Sequence, residues 1–316
     1  MNGQQRYDAI LVAGESKYSY KVRNQYKALL KIDGRYCIQY VLDALQHVSS
    51  IDNIYVIGPQ KKLVAAFQKA KIDLNHPKRI KILEQKSNLL ENVWHGYLAS
   101  LPITDTDQTD EIEIFADKAV LVVPCDSPLI TAQEVTYFIK QCRLEDYDYI
   151  LGLTPEKEME YFYPGKHGPG IKMAYLHMKE RNYRINNLHM VRPARVRHRI
   201  HINKMYEYRY QKRLINMLLL ALYLLRIQPI KNFGLIFGMQ FSLISAKLDL
   251  PWLTAIFKRW VPRQELETTI SQILKTRFAS LEVPYPGAAL DIDNDQAYEI
   301  LQYQFNHWRS YLNSQA

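Results

Sequence analysis

The 316-residue chain has only three cysteines, Cys37, Cys125 and Cys142, far apart and odd in number. That excludes a disulfide framework and a tetrahedral zinc knuckle, and it points to a reducing compartment. No apolar run reaches the roughly 18–20 residues that span hydrocarbon as a helix; Leu214–Ile227 has 14. Met1–Asp8 is polar, without the basic start, apolar stretch and small-residue cleavage site of a signal peptide, so a cytoplasmic location is expected. There are no internal repeats, no GxGxxG and no Gly-Lys-Ser/Thr ending of a Walker loop. His167, His177, His189, His198 and His201 lack the i, i+4 pairing with a carboxylate of a helical zinc motif. With 47% apolar and 23% charged residues the chain is globular, and its length fits one large α/β domain with an elaboration.

The net charge of +9 is unevenly placed. Arg192, Arg195, Arg197, Arg199, Lys204, Arg209, Lys212 and Arg213 face one acid, Glu207, within 22 residues, an excess of +7. Charge confined to one stretch points to one local anionic partner and away from a nucleic-acid face.

Up to about residue 150 short apolar runs alternate with amphipathic stretches. Ala9–Val12, Ile54–Ile57, Ile80–Leu83 and Val120–Val123 predict buried parallel strands, and Tyr36, Ile38, Val41, Leu42 and Leu45 have helical spacing. The acids Asp105, Asp107, Asp110, Glu111 and Glu113 read as a solvated loop. Residues 155–170, rich in Pro, Gly and Tyr, predict a loop. After the basic stretch, Leu214–Ile227 and Phe233–Ile244, broken at Pro229–Lys231, predict a helical hairpin that either packs on the core or dips into an anionic membrane surface.

The candidate chemistry sits at strand ends. Leu11-Val12-Ala13-Gly14 is followed by a polar loop and Lys27, an arrangement in which small residues let backbone N–H groups approach phosphate while a lysine neutralises it. Asp126 follows the strand Ala119–Val123, at the carboxyl end where open α/β sheets bind ligands. In Leu290-Asp291-Ile292-Asp293, alternation puts the two aspartates on one side. Converging aspartates suit Mg²⁺, which takes one or two carboxylates plus phosphate oxygens.

These stretches resemble the nucleotidyltransferases of the GT-A-like superfamily, and within them the MobA-like NTP transferases. Leu11–Gly14 with Lys27–Gly34, Val122–Leu129 and Leu290–Tyr298 carry the resemblance and frame nearly the whole chain. It implies an α/β fold with a mostly parallel, three-layer Rossmann-like sheet and a helical, basic insertion before the C-terminal strand. The expected parts are a nucleotide-binding part (1–153), acceptor-side elements (154–275) and a closing strand with a C-terminal helix (276–316). It implies transfer of NMP from an NTP, CTP or GTP, to a phosphorylated acceptor, with Mg²⁺ held by Asp126 and Asp293 and with Lys27 and Asp126 as the catalytic pair. Leu11, Ala13 and Gly14 match the phosphate and base loop. Asn88 and Asn92 fall where the family recognises base and ribose, unless they cap the following helix. The family's loop arginine is missing, and Arg23 or Lys17 stands in for it; Glu15 puts an anion beside the expected triphosphate.

On the acceptor side the expected contacts are Tyr163, Lys166, Asn187, Arg195 and Arg197. Asn186-Asn187-Leu188 resembles a stretch of a little-characterised MobA-like subgroup. Basic stretch and apolar hairpin together suggest a lipid-linked or polar-lipid acceptor and a peripheral position at the membrane's inner face. The rival readings are a GT-A glycosyltransferase, which would carry its Asp-x-Asp at a middle strand, and an inactive membrane- or anion-binding relative.

Overall fold

Each apolar run expected as a strand forms one. A computed structural model of the chain describes residues 5–15, 21–75, 77–103, 109–166, 168–202 and 233–315. Lys17, Asp105, Asp107, His167, Lys204, Arg209, Lys212, Arg213 and the apolar run Leu214–Ile227 lie outside the described residues. The strands are β1 (Tyr7–Val12), β2 (Lys31–Ile32), β3 (Arg35–Tyr36), β4 (Ile51–Gly58), β5 (Ile80–Glu84), β6 (Val120–Pro124), β7 (Tyr149–Pro155), β8 (Leu176–His177), β9 (Asn182–Val191) and β10 (Phe278–Glu282). The helices are α1 (Cys37–Gln46), α2 (Gln60–Lys69), α3 (Leu89–Ser100), α4 (Thr109–Ile114), α5 (Ala132–Gln141), α6 (Glu156–Met159), α7 (Phe233–Lys247), α8 (Pro251–Phe257), α9 (Arg263–Leu274) and α10 (Asp295–Ser314).

The main sheet runs β5-β4-β1-β6-β9-β7-β10, with β8 paired to β9. Its pairings are parallel except those of β9, which runs against β6, β7 and β8. From β1 the chain moves outward to β4 and β5, then returns through α3 to β6 on the other side of β1. The carboxyl ends of β1 and β6 therefore flank a topological switch point, where an open sheet leaves a crevice.

Helices cover both faces, which is why the strands read apolar throughout. Ala9, Leu11, Val56, Leu121 and Val123 meet Ile38, Val41 and Leu45 of α1 and Val135 and Phe138 of α5. Ile10, Ile57, Val120 and Val122 meet Tyr97 of α3 and Ile236 of α7. Each such aliphatic side chain contributes about 1.5–3 kcal/mol by burial. A small hairpin, β2–β3, interrupts the loop after β1; Asp33 (φ 47°) and Gly34 (φ 78°) give it the two left-handed residues of a type I′ turn. Tyr298, Leu301, Phe305, Trp308 and Leu312 share one face of α10 and pack on Leu30, Ile32, Leu129 and Phe162. Asn294 caps that helix, accepting from Ala297 N–H at 2.8 Å.

The edge strand β10 does not offer a bare ladder. Ser271 Oγ accepts from Phe278 N–H at 3.0 Å, Glu267 Oε1 accepts from Ser280 N–H at 2.9 Å, and Arg263 donates to the Ser280 carbonyl. The spacing i, i+4, i+8 on α9 matches the alternate residues of the strand, so side chains stand in for a neighbouring strand.

At the opposite, amino end of the sheet Asp148, 5% exposed, precedes β7. Its carboxylate accepts from Arg277 Nε and Nη2 at 2.8 and 2.7 Å and from Arg192 Nη1 at 3.2 Å. Burial would raise this carboxyl; the hydrogen bonds from Arg277 and Arg192 outweigh it and hold it below the usual aspartate range. A depressed carboxyl stabilises fully above its unfolded pKa, and that contribution is lost as pH falls through the folded value. Asp148→Asn is expected to cost about 2–3 kcal/mol in urea titrations near neutral pH. The deficit should stay constant down to about pH 5 and close below about pH 4.

Candidate functional site

The loop after β1 opens the site. Ala13 is fully buried and spoken for on both sides: its N–H donates to the Ile57 carbonyl at 2.8 Å and its carbonyl accepts the Tyr26 hydroxyl. Gly14 is exposed, and a β-carbon there would lie 2.7 Å from Asn92 Nδ2, so any side chain at this position would displace the Asn92 amide. Gln85 holds the next residue like a strand partner, accepting from Glu15 N–H at 2.6 Å and donating to its carbonyl at 3.0 Å. The Glu15 carboxylate pairs with Lys62 at 2.6 Å and Lys21 at 3.7 Å. The anion that disturbed the sequence reading thus carries its own counter-ions.

Across the crevice, Lys27 and Asp126 meet at 3.0 Å, both mostly buried. Burial alone would lower the Lys27 ammonium; Asp126 first, then Asp293 and Asp291, outweigh it and raise it. Lys27 is a firm cation. Ile292 N–H donates to the Asp126 carbonyl at 3.0 Å, which docks the late aspartate segment beside the end of β6. Leu290 and Ile292 point into the core, and Asp291 and Asp293 turn the other way toward Arg184. Arg184 Nη2 lies 2.5 Å from Asp291 and 3.7 Å from Asp293. Burial and then the repulsion of Asp291 raise the Asp293 carboxyl despite Lys27 and Arg184.

A second set of contacts fixes that segment. Ala288 N–H donates to Glu134 Oε2 at 2.9 Å, and the Ala288 carbonyl accepts from Ser127 Oγ and Asn187 Nδ2, each at 3.0 Å. Arg184 Nε donates to the Ala289 carbonyl at 2.7 Å. Asn187 reaches Ala288 because β9 bulges: between the pairs Leu151↔His189 and Leu153↔Ile185, three residues oppose Gly152, and Asn187 takes φ 64°. Its neighbour Asn186, fully buried, donates to Glu134 Oε1 and Thr154 Oγ1, both at 2.8 Å.

The structure therefore brings together Gly14, Lys27, Asp126 and Asp293, with Asp291 and Arg184. Other expected residues stand elsewhere. Leu11 is fully buried with β4 and β6 on either side, so it supports the crevice and does not face it. Asn88 caps α3, accepting from Glu91 N–H at 3.0 Å, and Asn92 accepts from Lys86 N–H at 2.6 Å, so both brace the loop. Arg23, at φ 52°, pairs with Glu299 of α10, and its N–H donates to Asp295 at 2.8 Å. Tyr163 contacts the Tyr175 hydroxyl at 2.5 Å and Glu156 at 3.2 Å, beyond the carboxyl end of β7, and Lys166 is exposed in the turn closed by Gly165 and Gly168.

Arg195 requires a correction as an acceptor contact. It pairs with Asp117 at 2.7 Å, beside Arg192 and Asp148, and therefore sits at the amino end of the sheet, opposite the crevice. Arg197, two residues on, is exposed beyond that same end. A chain reversal explains this: β9 runs against its neighbours, so a stretch that follows it emerges at the amino end, away from the crevice.

Arg184 and Glu134 lie outside the sequence motifs. A signal existed for Arg184: in Tyr183-Arg184-Ile185-Asn186, polar residues alternate with apolar ones, and a charge on the inward side of a strand needs a partner. Glu134 gave none, since a glutamate in a helix's first turn is ordinary. A separate cavity of ≈ 670 Å³ at the β10 edge, lined by Arg143, Arg181, Arg263, Glu180, Glu267 and Glu282 among others, shares no residue with this crevice.

Residues 9–189 match the family model of the MobA-like NTP transferase domain. None of the curated proteins matches the chain. Among solved structures, a hypothetical transferase from Thermus thermophilus is similar over 93% of this chain and 99% of its own, at 17% identity and a TM-score of 0.55, which shows a shared fold. A 4-diphosphocytidyl-2C-methyl-D-erythritol synthase from Anaerococcus prevotii covers 96% and 99%, at 12% identity and TM-score 0.46. A CMP:2-keto-3-deoxy-manno-octonic acid synthetase in complex with CTP covers 96% and 99%, at 10% identity and TM-score 0.46.

Glu134 also sets a pH dependence. It is fully buried, and burial pushes its carboxyl up to about 8 despite hydrogen bonds from Asn186 and the Ala288 and Thr131 amides. Between its unfolded pKa of about 4.3 and the folded value, the native state holds a proton that the unfolded chain has released, so stability falls as pH rises. Glu134→Gln lacks this slope. Its stability relative to the unmodified chain is expected to rise between about pH 5.5 and 8.5 in urea titrations; parallel curves would mean that Glu134 is ionised throughout.

Proposed function

The chain belongs to the MobA-like NTP transferase family of nucleotidyltransferases, and on that premise we propose that it transfers an NMP from an NTP, CTP or GTP, to a phosphorylated acceptor with release of pyrophosphate. The observation that carries this reading is the convergence of Lys27, Asp126 and Asp293 beside Gly14 at the switch point. Three carboxylates there face two cations, so the cluster has one negative charge in excess. The donor set fits Mg²⁺: Asp126 and Asp293 are oxygen ligands that need only be completed by phosphate oxygens and water. Burial, and then the repulsion of Asp291, raise the Asp293 carboxyl, and a cation beside it would relieve both. When bound, the cation would neutralise triphosphate oxygens and turn the excess positive.

The protein's own groups supply the rest. Lys27 would shift from Asp126 toward the triphosphate and balance charge on the departing pyrophosphate. The exposed backbone of Gly14 would lie against phosphate or base, with Gln85 and Asn92 holding the loop's shape. Arg184 would keep Asp291 and Asp293 aligned through its pairs with both carboxylates. A phosphate monoester with a second pKa near 6 is largely dianionic at neutral pH, so it attacks the α-phosphorus without a dedicated general base. Positioning then does most of the work. Tyr163 and Lys166, past the end of β7, are the acceptor-side residues of this reading, and a lipid-linked or polar-lipid phosphate is its acceptor class.

Pyrophosphate release measured with each of the four NTPs and Mg²⁺, against a panel of phosphate monoesters, tests the proposal. Acceptor-dependent release is expected with CTP or GTP, and Asp126→Asn should lower it by about 10²–10³-fold or more while the far-ultraviolet circular dichroism is unchanged. Full turnover by Asp126→Asn, or turnover of a nucleotide sugar instead, would overturn it.

A further inference from the structure

Among the described residues eight large apolar side chains are exposed, and five of them, Phe233, Leu248, Trp252, Ile256 and Trp260, fall within 28 consecutive residues on α7, α8 and the turns that follow each helix. The helix α7 is apolar on both sides: Leu235 and Ile236 are buried in the core, yet aromatic side chains also line its other side. Its buried face includes Gln240, Ser242 and Ser245, and Ser245 hydrogen-bonds Thr254 of α8 at 2.9 Å. Its outer side carries the exposed Phe233 and the half-buried Phe237 and Phe241 at i, i+4 and i+8, with successive ring centroids 5.6 and 4.0 Å apart. Phe257 and Trp260 continue the ridge, at 5.2 Å from Phe241 and 5.7 Å from Phe257 respectively. A helix that hides hydroxyls and shows aromatics is suited to an apolar exterior.

The charges around this ridge choose the occupant. From Phe233 to Pro262 the bases are Lys247, Lys258 and Arg259, against one acid, Asp249. A second copy of the chain would meet this face through a two-fold axis and set those cations against each other. An anionic lipid surface would take both features at once: tryptophans settle at the headgroup level and lysine or arginine side chains reach lipid phosphates. No helix among the described residues is long and apolar enough to cross a membrane, so the hairpin would lie along the surface.

We propose that α7, α8 and the following turn form a docking face for an anionic bilayer, with Trp252, Ile256 and Trp260 entering the headgroup–acyl boundary and Lys258 and Arg259 on lipid phosphates. The assignment uses none of the crevice residues and stands whether or not nucleotidyl transfer does.

The test uses the full chain and vesicles of phosphatidylcholine, alone or with one quarter phosphatidylglycerol. Co-flotation is expected only with the anionic vesicles and should weaken in high salt. Lys258→Gln with Arg259→Gln should lower partitioning about 30-fold, and Trp252→Ser with Ile256→Ser should abolish flotation, each with an unchanged circular dichroism spectrum. In a Trp260→Phe protein, bromine-labelled acyl chains should quench emission, and a further Trp252→Phe exchange should remove that quenching. Absence of flotation, or equal flotation with neutral vesicles at any salt, would overturn the proposal. So would a dimer in gel filtration that Trp252→Ser converts to monomer, or a Trp252 already shielded from acrylamide without lipid.

Discussion

Three carboxylates drawn into one crevice repel one another, and the carboxyl edge of this sheet depends on the two cations that make their approach tolerable. Lys27 takes Asp126 at 3.0 Å, and Arg184 takes Asp291 at 2.5 Å. Each cation comes from a different part of the chain than its partner, so the crevice exists only once β1, β6, β9 and the segment before α10 are assembled. The cations are mostly buried, where a charge is costly unless paired. The hydrogen bonds from Ser127, Asn187 and Glu134 to the backbone of Ala288 then convert electrostatic tolerance into fixed geometry. Asp126 and the late aspartates are positioned by backbone contacts, and their carboxylates are held by Lys27 and Arg184.

The strands before residue 130 were legible because both their faces are covered and hydrophobicity alone marks them. So was the end of β6, since an aspartate directly after a buried run has few structural excuses. The antiparallel β9 was not. Its residues alternate, but Arg184, Asn186 and Asn187 belong to the site, and their polarity hid a strand in the middle of the sheet. The hairpin β2–β3 was announced by Asp33-Gly34, a turn signal overlooked inside a stretch read for its lysine.

The basic stretch shows where sequence counting fails. Arg192 and Arg195 look uncompensated beside one glutamate, yet the fold brings Asp117 and Asp148 to them from other segments. A local excess of charge is meaningful only after distant counter-ions are placed. Glu15 makes the same point with the opposite sign: an apparent obstacle to a triphosphate is matched by Lys62 on α2. Arg199 illustrates a third outcome, lying 3.7 Å over the Trp94 ring, where it packs as much as it pays out charge.

The side-chain cover of β10 has a bearing on how the chain folds. Arg263, Glu267 and Ser271 precede the strand they protect by fewer than twenty residues, so helix and strand can dock as one local unit. Contacts of short sequence separation form early because little loop entropy opposes them. Low sequence separation thus favours closing the exposed edge before the sheet is complete, during the interval when unpaired ladders recruit strands from other chains. Safety against misassembly is built into the order in which contacts become available.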